Sequence, residues 1–302
     1  MMTKAAVDGV RSVALGVPDL KASAAFYTNV WQLDRVAASA ESAYFRGTGA
    51  YHHILALHRR PRPELLSLDL TAPDRAAVDA IHRTVAGKGG RDIGAPAAIA
   101  EPGGGYGFAF RDPEGRAIRV IAGDERRRDV APQPDRPSKI SHVVLNSRDR
   151  AAATAFFCDA LGFRLIDETR ALTFLNCNAD HHSIAFADGE SASLHHIAFE
   201  MIDIDSVMRG AGRMRDAGFD IEWGVGRHGP GDNVFAYFVG PNDEVIEYTA
   251  EVEQVDASYR VRGPAEWTWP PGRLDHWGIA VGPTDRLKAA QKKLRFAASA
   301  TV

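Results

Sequence analysis

The 302-residue sequence predicts an α+β protein of four βαβββ modules, paired into two homologous halves that each form a curved mixed sheet. Three observations carry this prediction. First, RSVALGVPDLKASAAFY from Arg11 to Tyr27 matches SHVVLNSRDRAAATAFF from Ser141 to Phe157. Each is a short apolar strand, a polar turn with Asp, and an Ala-rich helix ending in aromatics. Second, FRDPEGRAIRV from Phe110 to Val120 matches FVGPNDEVIEY from Phe238 to Tyr248, each a proline turn followed by a strand. Both matches are offset by about 130 residues. Third, each half contains a second strand–helix pair, so the repeat has four units. Such self-similarity decides the architecture before any local reading does.

The elements follow in order. The first unit covers about residues 10–60. The second, about 64–122, opens with the strand Leu65–Asp69 and continues through APDRAAVDAIHRTVAGKGG, an amphipathic helix closed by glycine. The third and fourth cover about 140–188 and 194–250. In the fourth, the strand His196–Glu200 precedes a helix over Asp205–Ala217, closed by Gly218. GDERRRDVAPQPDRPSK joins the halves and is rich in charge and proline, as linkers are. The expected domains are 1–125, a linker at 126–139, 140–252, and a tail at 253–302. The tail carries RGPAEWTWPPGRLDHWG and a helix from Thr284 to about Arg295.

Composition narrows the function. Lys+Arg total 36 and Asp+Glu 39, a net charge of -3, so no basic surplus points to nucleic acid. Two cysteines, Cys158 and Cys177, build neither a disulfide framework nor a cysteine-rich zinc site; Cys158 reads as a small buried hydrophobe. MMTKAAVDGVRS lacks the apolar stretch of a signal peptide, and no run approaches the ~18 apolar residues of a membrane span. A soluble cytoplasmic protein without membrane or nucleic-acid partners is expected. Histidine stands out, with 11 residues gathered in a few places.

In the second half His142 opens the strand HVVL and His196 opens HIAF, at corresponding places of two modules. Glu247 lies in VIEY. Two imidazoles and one carboxylate on separate strands of one curved sheet can converge on one ion, a set that suits Fe(II) and leaves positions open; Mn(II) fits as well. His196 is preferred to His195 because HVVL and HIAF align and neighbouring side chains alternate. The first half is an internal control, with Val13, Leu65 (to within one residue) and Arg119 at the three places. An arginine at a ligand position argues against a metal there, and His52 and His53 in that half read as structural or exposed. Around the expected ion stand His182 (preferred to His181), His228 in a glycine-rich loop, and Tyr237. His, Tyr and Glu are residue types that move protons near neutral pH.

With these residues in view, the chain over about 8–250 resembles the type I extradiol ring-cleavage dioxygenases of the vicinal oxygen chelate (glyoxalase/bleomycin resistance) superfamily. That family also has a metal-free N-terminal half. Its C-terminal fingerprint is matched by Gly226-Arg227-His228, Tyr237, Pro241 and Glu247, with departures at Ala236, Gly240 and Asp243 that affect packing and a turn. The resemblance implies His142, His196 and Glu247 as iron ligands, with His182, His228 and Tyr237 as catalytic groups. Tyr237 and His228 would hydrogen-bond the oxygens of a catechol, and His182 would serve on the O2 side as donor and acid. The product would be a ring-opened semialdehyde or keto acid holding both oxygen atoms, and a homo-oligomer is implied.

Phe174, Phe186, Trp223 and His276 are the candidate pocket lining, and the tail's Trp267, Trp269 and Trp277 either cap the pocket mouth or dock the tail. This lining favours an uncharged, substituted or fused-ring catechol. The chain faintly resembles homoprotocatechuate-cleaving enzymes in its tail, but Trp223 and Leu274 cannot pair with a carboxylate. Two alternatives differ in chemistry. A metal-dependent glyoxalase-like isomerase or lyase has no need of the His182, His228 and Tyr237 group. A small-molecule binding protein of the superfamily has no need of a metal triad.

Overall fold

The computed structural model describes residues 5–128, 130–269 and 271–298. Residues 1–4, at the start of the segment read for a leader, and the last four of the tail lie outside this description. The first half runs β1 (Gly9–Val17), α1 (Leu20–Asn29), β2 (Asp34–Ala38), β3 (Ser42–Arg46), β4 (Leu55–Arg59), β5 (Glu64–Thr71), α2 (Arg75–Gly87), β6 (Ala97–Ala98), β7 (Tyr106–Arg111) and β8 (Ala117–Ala122). The second runs β9 (Ile140–Ser147), α3 (Arg150–Phe156), β10 (Arg164–Glu168), β11 (Leu172–Asn176), β12 (Ile184–Asp188), β13 (Ser193–Glu200), α4 (Ile204–Asp216), β14 (Trp223–Arg227), β15 (Val234–Val239) and β16 (Val245–Ala250). Each set makes one eight-stranded mixed sheet. The orders are β2-β3-β4-β1-β5-β8-β7-β6 and β10-β11-β12-β9-β13-β16-β15-β14, the second being the first with eight added throughout.

The modules share a local device. The helix of each starts at an aspartate, Asp19, Asp74, Asp149 or Asp203, whose carboxylate accepts the N–H three residues on. Each such cap contributes about 1 kcal/mol and fixes where strand gives way to helix. The lead strands β1 and β9 are buried along their whole length, because each sits mid-sheet between a parallel and an antiparallel neighbour. Buried residues of both halves form one continuous core. Trp31 stacks on Tyr248 with ring centroids 3.8 Å apart, and Tyr27 donates from its hydroxyl to buried Glu244 at 2.8 Å.

Cross-strand pairing corrects two equivalences expected from sequence. Val13 faces Leu55 as Val143 faces Ile184, so Ser12, not Val13, takes the place of His142. Ser67, not Leu65, takes the place of His196, since Ser67 faces Ala14 as His196 faces Val144. The place is set by cross-strand pairing, not by the first apolar residue of a strand; the β-bulge at Leu66 recurs at His195, so the two halves stay in step. Arg119 faces Asp69 as Glu247 faces Ala198, so Arg119 takes the place of Glu247.

The tail crosses the second half and returns to both sheets. Its helix α5 (Asp285–Ala290), capped by Thr284, is shorter than its sequence predicts. Beyond it the backbone pairs instead: Leu194 donates to the Leu294 carbonyl at 2.8 Å and Leu65 to that of Arg295 at 2.9 Å. No helix among the described residues is long and apolar enough to cross a membrane.

Candidate active site

The sheet brings three ligand-type side chains together through one small residue. On β13, Ala198 pairs with His142 of β9 on one side and with Glu247 of β16 on the other. His196 lies two residues before Ala198 and so projects from the same face. All three are buried. The Nε2 atoms of His142 and His196 lie 3.4 and 3.2 Å from Glu247 Oε2, and 3.4 Å from each other.

These residues fit a divalent ion. Metal–ligand bonds of about 2.1 Å place donors about 3.0 Å apart at octahedral angles and about 3.4 Å apart at tetrahedral ones, which brackets the three distances. Glu247 is fully buried, and neither of its oxygens accepts a hydrogen bond of good geometry. An ionised carboxylate in that position is costly unless a cation faces it. Burial alone would raise its pKa, but the two imidazoles hold it below the usual carboxylate range. Two nitrogens and one carboxylate oxygen suit Fe(II) or Mn(II) better than a thiolate-seeking metal.

The other expected catalytic residues surround this triad. The His182 ring lies 4.2 Å from that of His142, centroid to centroid. The loop at Gly231 passes close beside it: Gly231 has φ +81, and a Cβ there would stand 3.1 Å from the His182 ring. His228 Nε2 lies 3.0 Å from the Tyr237 hydroxyl and 3.9 Å from Glu247 Oε1. The His228 ring stacks on Phe235 at 4.0 Å, and Tyr237 stacks on Trp223 at 5.1 Å. Burial lowers His228 to about 4, lowers His182 well below its ordinary value with help from neighbouring imidazoles, and lowers His196. Burial and the Glu247 charge raise the Tyr237 phenol well above 10.

A cavity of about 630 Å³ opens onto the triad. His142, His182, His196, His228 and Tyr237 line its floor, and Val144, Leu172, Phe174 and Trp223 its walls. The tail closes its outer side with Trp267, Trp269 and Leu274. Two expected lining residues lie elsewhere. Phe174 faces Ala185, which puts Phe186 on the opposite face of the sheet; there it is buried in the core against Phe157, 5.0 Å away. His276 does not line the cavity; its ring is partly exposed beside Asp232. Conversely, Arg170 in the β10–β11 turn and Arg273 in the tail stand at the mouth, both exposed. A turn residue and a tail residue have no shared periodicity, so nothing local in the sequence joins them to the site.

The corresponding place in the first half holds charge of its own. Arg119 binds Asp69 through two guanidinium nitrogens, at 2.7 and 2.5 Å. Ser12 and Ser67, at the histidine places, donate their hydroxyls to the same carboxylate at 2.7 and 2.8 Å. Buried Arg11 binds Asp124 at 2.8 Å. His53, expected to be structural or exposed, is fully buried 3.1 Å from Arg11.

Comparison with known proteins agrees with this architecture. The family model described as Glyoxalase/Bleomycin resistance protein/Dioxygenase superfamily matches residues 9–120 and 139–248. Metapyrocatechase 2 of Cupriavidus necator is 31% identical over 204 residues, 58% of this chain and 61% of that protein. An iron-dependent extradiol dioxygenase of Rhodococcus jostii is 30% identical, over 49% of this chain and 57% of that protein. The chain thus spans about three fifths of the length of these curated relatives. Among solved structures, a Mn(II)-bound glyoxalase from Novosphingobium aromaticivorans is 39% identical with a TM-score of 0.86, covering 93% of this chain and 94% of that one. Homoprotocatechuate 2,3-dioxygenase from Arthrobacter globiformis is 19% identical with a TM-score of 0.84, covering 97% and 94%, and shares the fold. The chain belongs to the glyoxalase/bleomycin resistance protein/dioxygenase superfamily.

Proposed function

We propose that this superfamily member is an extradiol dioxygenase that cleaves a substituted or bicyclic catechol beside its diol, using Fe(II) or Mn(II) held by His142, His196 and Glu247. One observation carries the reading. The buried triad is ringed by His182, His228 and Tyr237, and all but Glu247 of these six line one apolar-walled cavity. A hydrolytic or isomerising centre needs a base and an ion; it does not need three further proton-handling groups on separate elements. The bound ion would supply a shared site for the diol and O2 and a path for electrons between them.

The chain's own residues supply the remaining parts. The Tyr237 hydroxyl and His228 Nε2 form one hydrogen-bonded pair beside Glu247, placed to hold a diol oxygen and take its proton. His182 stands against His142, across the site from that pair, where it can hold and later return a proton on the O2 side. The walls of Phe174, Leu172 and Trp223 exclude water and suit a flat ring, and about 630 Å³ admits a ring with a second ring or chain attached. The tail tryptophans cover the open side.

The second reading, a metal-dependent glyoxalase-type isomerase, is favoured by the 39% identity to the Mn(II)-bound glyoxalase along nearly the whole chain. One experiment separates the two. The protein is loaded anaerobically with Fe(II) or Mn(II), and oxygen uptake is followed with 3-methylcatechol, 2,3-dihydroxybiphenyl and homoprotocatechuate. In parallel, isomerisation of a thiol–ketoaldehyde adduct is assayed. Stoichiometric O2 uptake with a yellow ring-fission product is expected, faster for the first two catechols. Isomerase turnover without O2 uptake overturns the reading.

A further inference from the structure

The catalytic half contains a buried chain of hydrogen bonds that runs away from the cavity, behind His182. His182 Nδ1 lies 3.1 Å from His181 Nδ1, and His181 Nε2 lies 2.9 Å from Asp167 Oδ2. Asp167 and His181 are both fully buried. Asp167 is held from the tail as well: the Tyr259 hydroxyl donates to it at 2.9 Å, the Arg262 backbone N–H at 2.7 Å and the Arg262 guanidinium at 3.1 Å.

We propose that Asp167 and His181 are positioning residues that fix the tautomer of His182, so that its Nε2 faces the cavity as a proton acceptor. The proposal rests on the reading that His182 takes part in the reaction. The logic is donor counting. A carboxylate only accepts, so the His181 nitrogen facing Asp167 carries the hydrogen. Arg262 already faces Asp167 with a positive charge, so the proposed arrangement needs no second cation there and leaves His181 Nδ1 as the acceptor. The single hydrogen between the two Nδ1 atoms therefore belongs to His182. Its other nitrogen is then bare, ready to receive a proton and give it back.

The first half supplies a control within the same molecule. There His52 and His53 repeat the contact, with Nδ1 atoms 3.0 Å apart. The position of Asp167, across from Phe174, is taken by Ala37, across from Tyr44. His52 takes the place of His181, and His53, at the place of His182, faces Arg11. The paired histidines come with the fold, whereas the aspartate that polarises them occurs only in the half that holds the triad. The chain also touches the pocket cover: the Arg262 guanidinium lies 4.0 Å over the ring of Trp267, which lines the cavity. Docking of the tail and anchoring of the relay are thus one event.

The test separates the two ends of His181. In His181→Asn the amide oxygen stands where Nδ1 stood, so the acceptor for His182 survives. In His181→Gln the amide nitrogen reaches toward Asp167, so the donor survives but the acceptor is lost. Oxygen uptake should retain at least about a tenth of wild-type kcat in the Asn variant and fall about a hundredfold in the Gln variant, with anaerobic catechol affinity and metal content unchanged in both. Should the Gln variant fail to fold, Asp167→Asn serves in its place. Its amide can donate, which releases the tautomer, and a similar fall in kcat is expected. Independently, long-range 15N–1H spectra of the Zn(II)-loaded wild type should show His182 protonated at Nδ1. Equal losses in the Asn and Gln variants, a loss of catechol affinity in place of kcat, or a His182 protonated at Nε2 would each overturn the proposal. A wild type that consumes no O2 with any catechol would instead refute the dioxygenase reading, and the tautomer result would stand on its own.

Discussion

Replacing Glu247 by Gln should abolish metal stabilisation while leaving the apoprotein folded. Glu247 is fully buried, and none of the described residues gives it a hydrogen bond of good geometry, so its charge favours a bound cation. Glutamine keeps the shape, removes the charge and weakens the ion's hold. With free metal at 100 times its dissociation constant, binding adds about 2.7 kcal/mol to the stability of the wild type. Unfolding entropy near 2.1 cal/mol/K per residue gives about 0.63 kcal/mol/K for the whole 302-residue chain, and hence a rise in Tm of about 4 °C. Were the second half to melt alone, its roughly 110 residues would give about 12 °C. The continuous core shared by the halves, with Trp31 stacked on Tyr248, predicts the smaller figure. The assay is calorimetry with and without chelator on both proteins. The wild type should lose about 4 °C on chelation and Glu247→Gln less than about 1 °C. An equal shift in the two proteins, or no shift in the wild type with Fe(II) or Mn(II), would refute the metal-site reasoning.

Three further outcomes follow from the same geometry. Asp69→Ala removes one of two carboxylates facing Arg119, Glu101 remaining at 2.7 Å, and should cost less than the roughly 3–5 kcal/mol of a fully stranded charge, read as a lowered denaturant midpoint, with the metal content of the folded protein unchanged. Burial opposes ionisation of Asp69, but Arg119, Arg11 and Ser12 more than offset it, holding its pKa below the usual carboxylate range. Its contribution is therefore present above about pH 4 and shrinks as pH falls further, so the gap between wild type and Asp69→Ala should narrow below that point. Tyr237→Phe removes the hydroxyl beside His228 and should lower kcat about a hundredfold without loss of bound metal, measured by oxygen uptake and metal analysis. Joint replacement of Arg170 and Arg273 by Ala should raise KM for homoprotocatechuate and leave that for 2,3-dihydroxybiphenyl unchanged, because only the former presents an anion to the cavity mouth. A parallel rise for both substrates would assign the arginines to packing of the tail.

What the sequence could reveal depended on whether the signal was local. The module pattern was legible because each unit repeats the same run of strand, aspartate cap and helix, and each part of that run is set by neighbours in sequence. His142 and His196 stood out because each heads a matching apolar run, HVVL and HIAF, although the strands themselves start earlier, at Ile140 and Ser193. The equivalences Val13 and Leu65 failed because each was counted from the first apolar residue of its strand, whereas the place is set by pairing with the neighbouring strands. Phe186 misled for a related reason: the face it takes is set by its pairing with Leu145 and Thr173, not by its own neighbours. The tail helix stopped early because backbone pairing of Leu294 and Arg295 to the two sheets replaced further helical turns. Asp167 carried no signal at all, since the contact that gives it meaning is with a histidine fourteen residues away and a tail about ninety-five residues away.

The two halves together show what the fold itself demands at this point in the sheet. Three adjacent central strands place their side chains toward one buried spot, and in both halves that spot holds a carboxylate needing a positive partner. In the first half the carboxylate is Asp69, and the partner is Arg119 on the neighbouring strand. In the second the carboxylate has moved to the neighbouring strand as Glu247, and the residue at the place of Asp69 is Ala198. Moving the acid leaves no lysine or arginine facing it among the described residues, and histidines with nitrogen lone pairs stand where the two serines satisfied Asp69. The change exchanges an internal counter-ion for an external one. It also explains why Ala198 is small: a larger side chain there would fill the space between His142 and Glu247 that an ion requires. Ala198→Leu should therefore exclude the metal while all three ligands remain, whereas Ala198→Gly should retain it. Metal analysis of the two purified variants decides the point, and a Leu variant with full metal content would show that the ligands converge without the space this account assigns them.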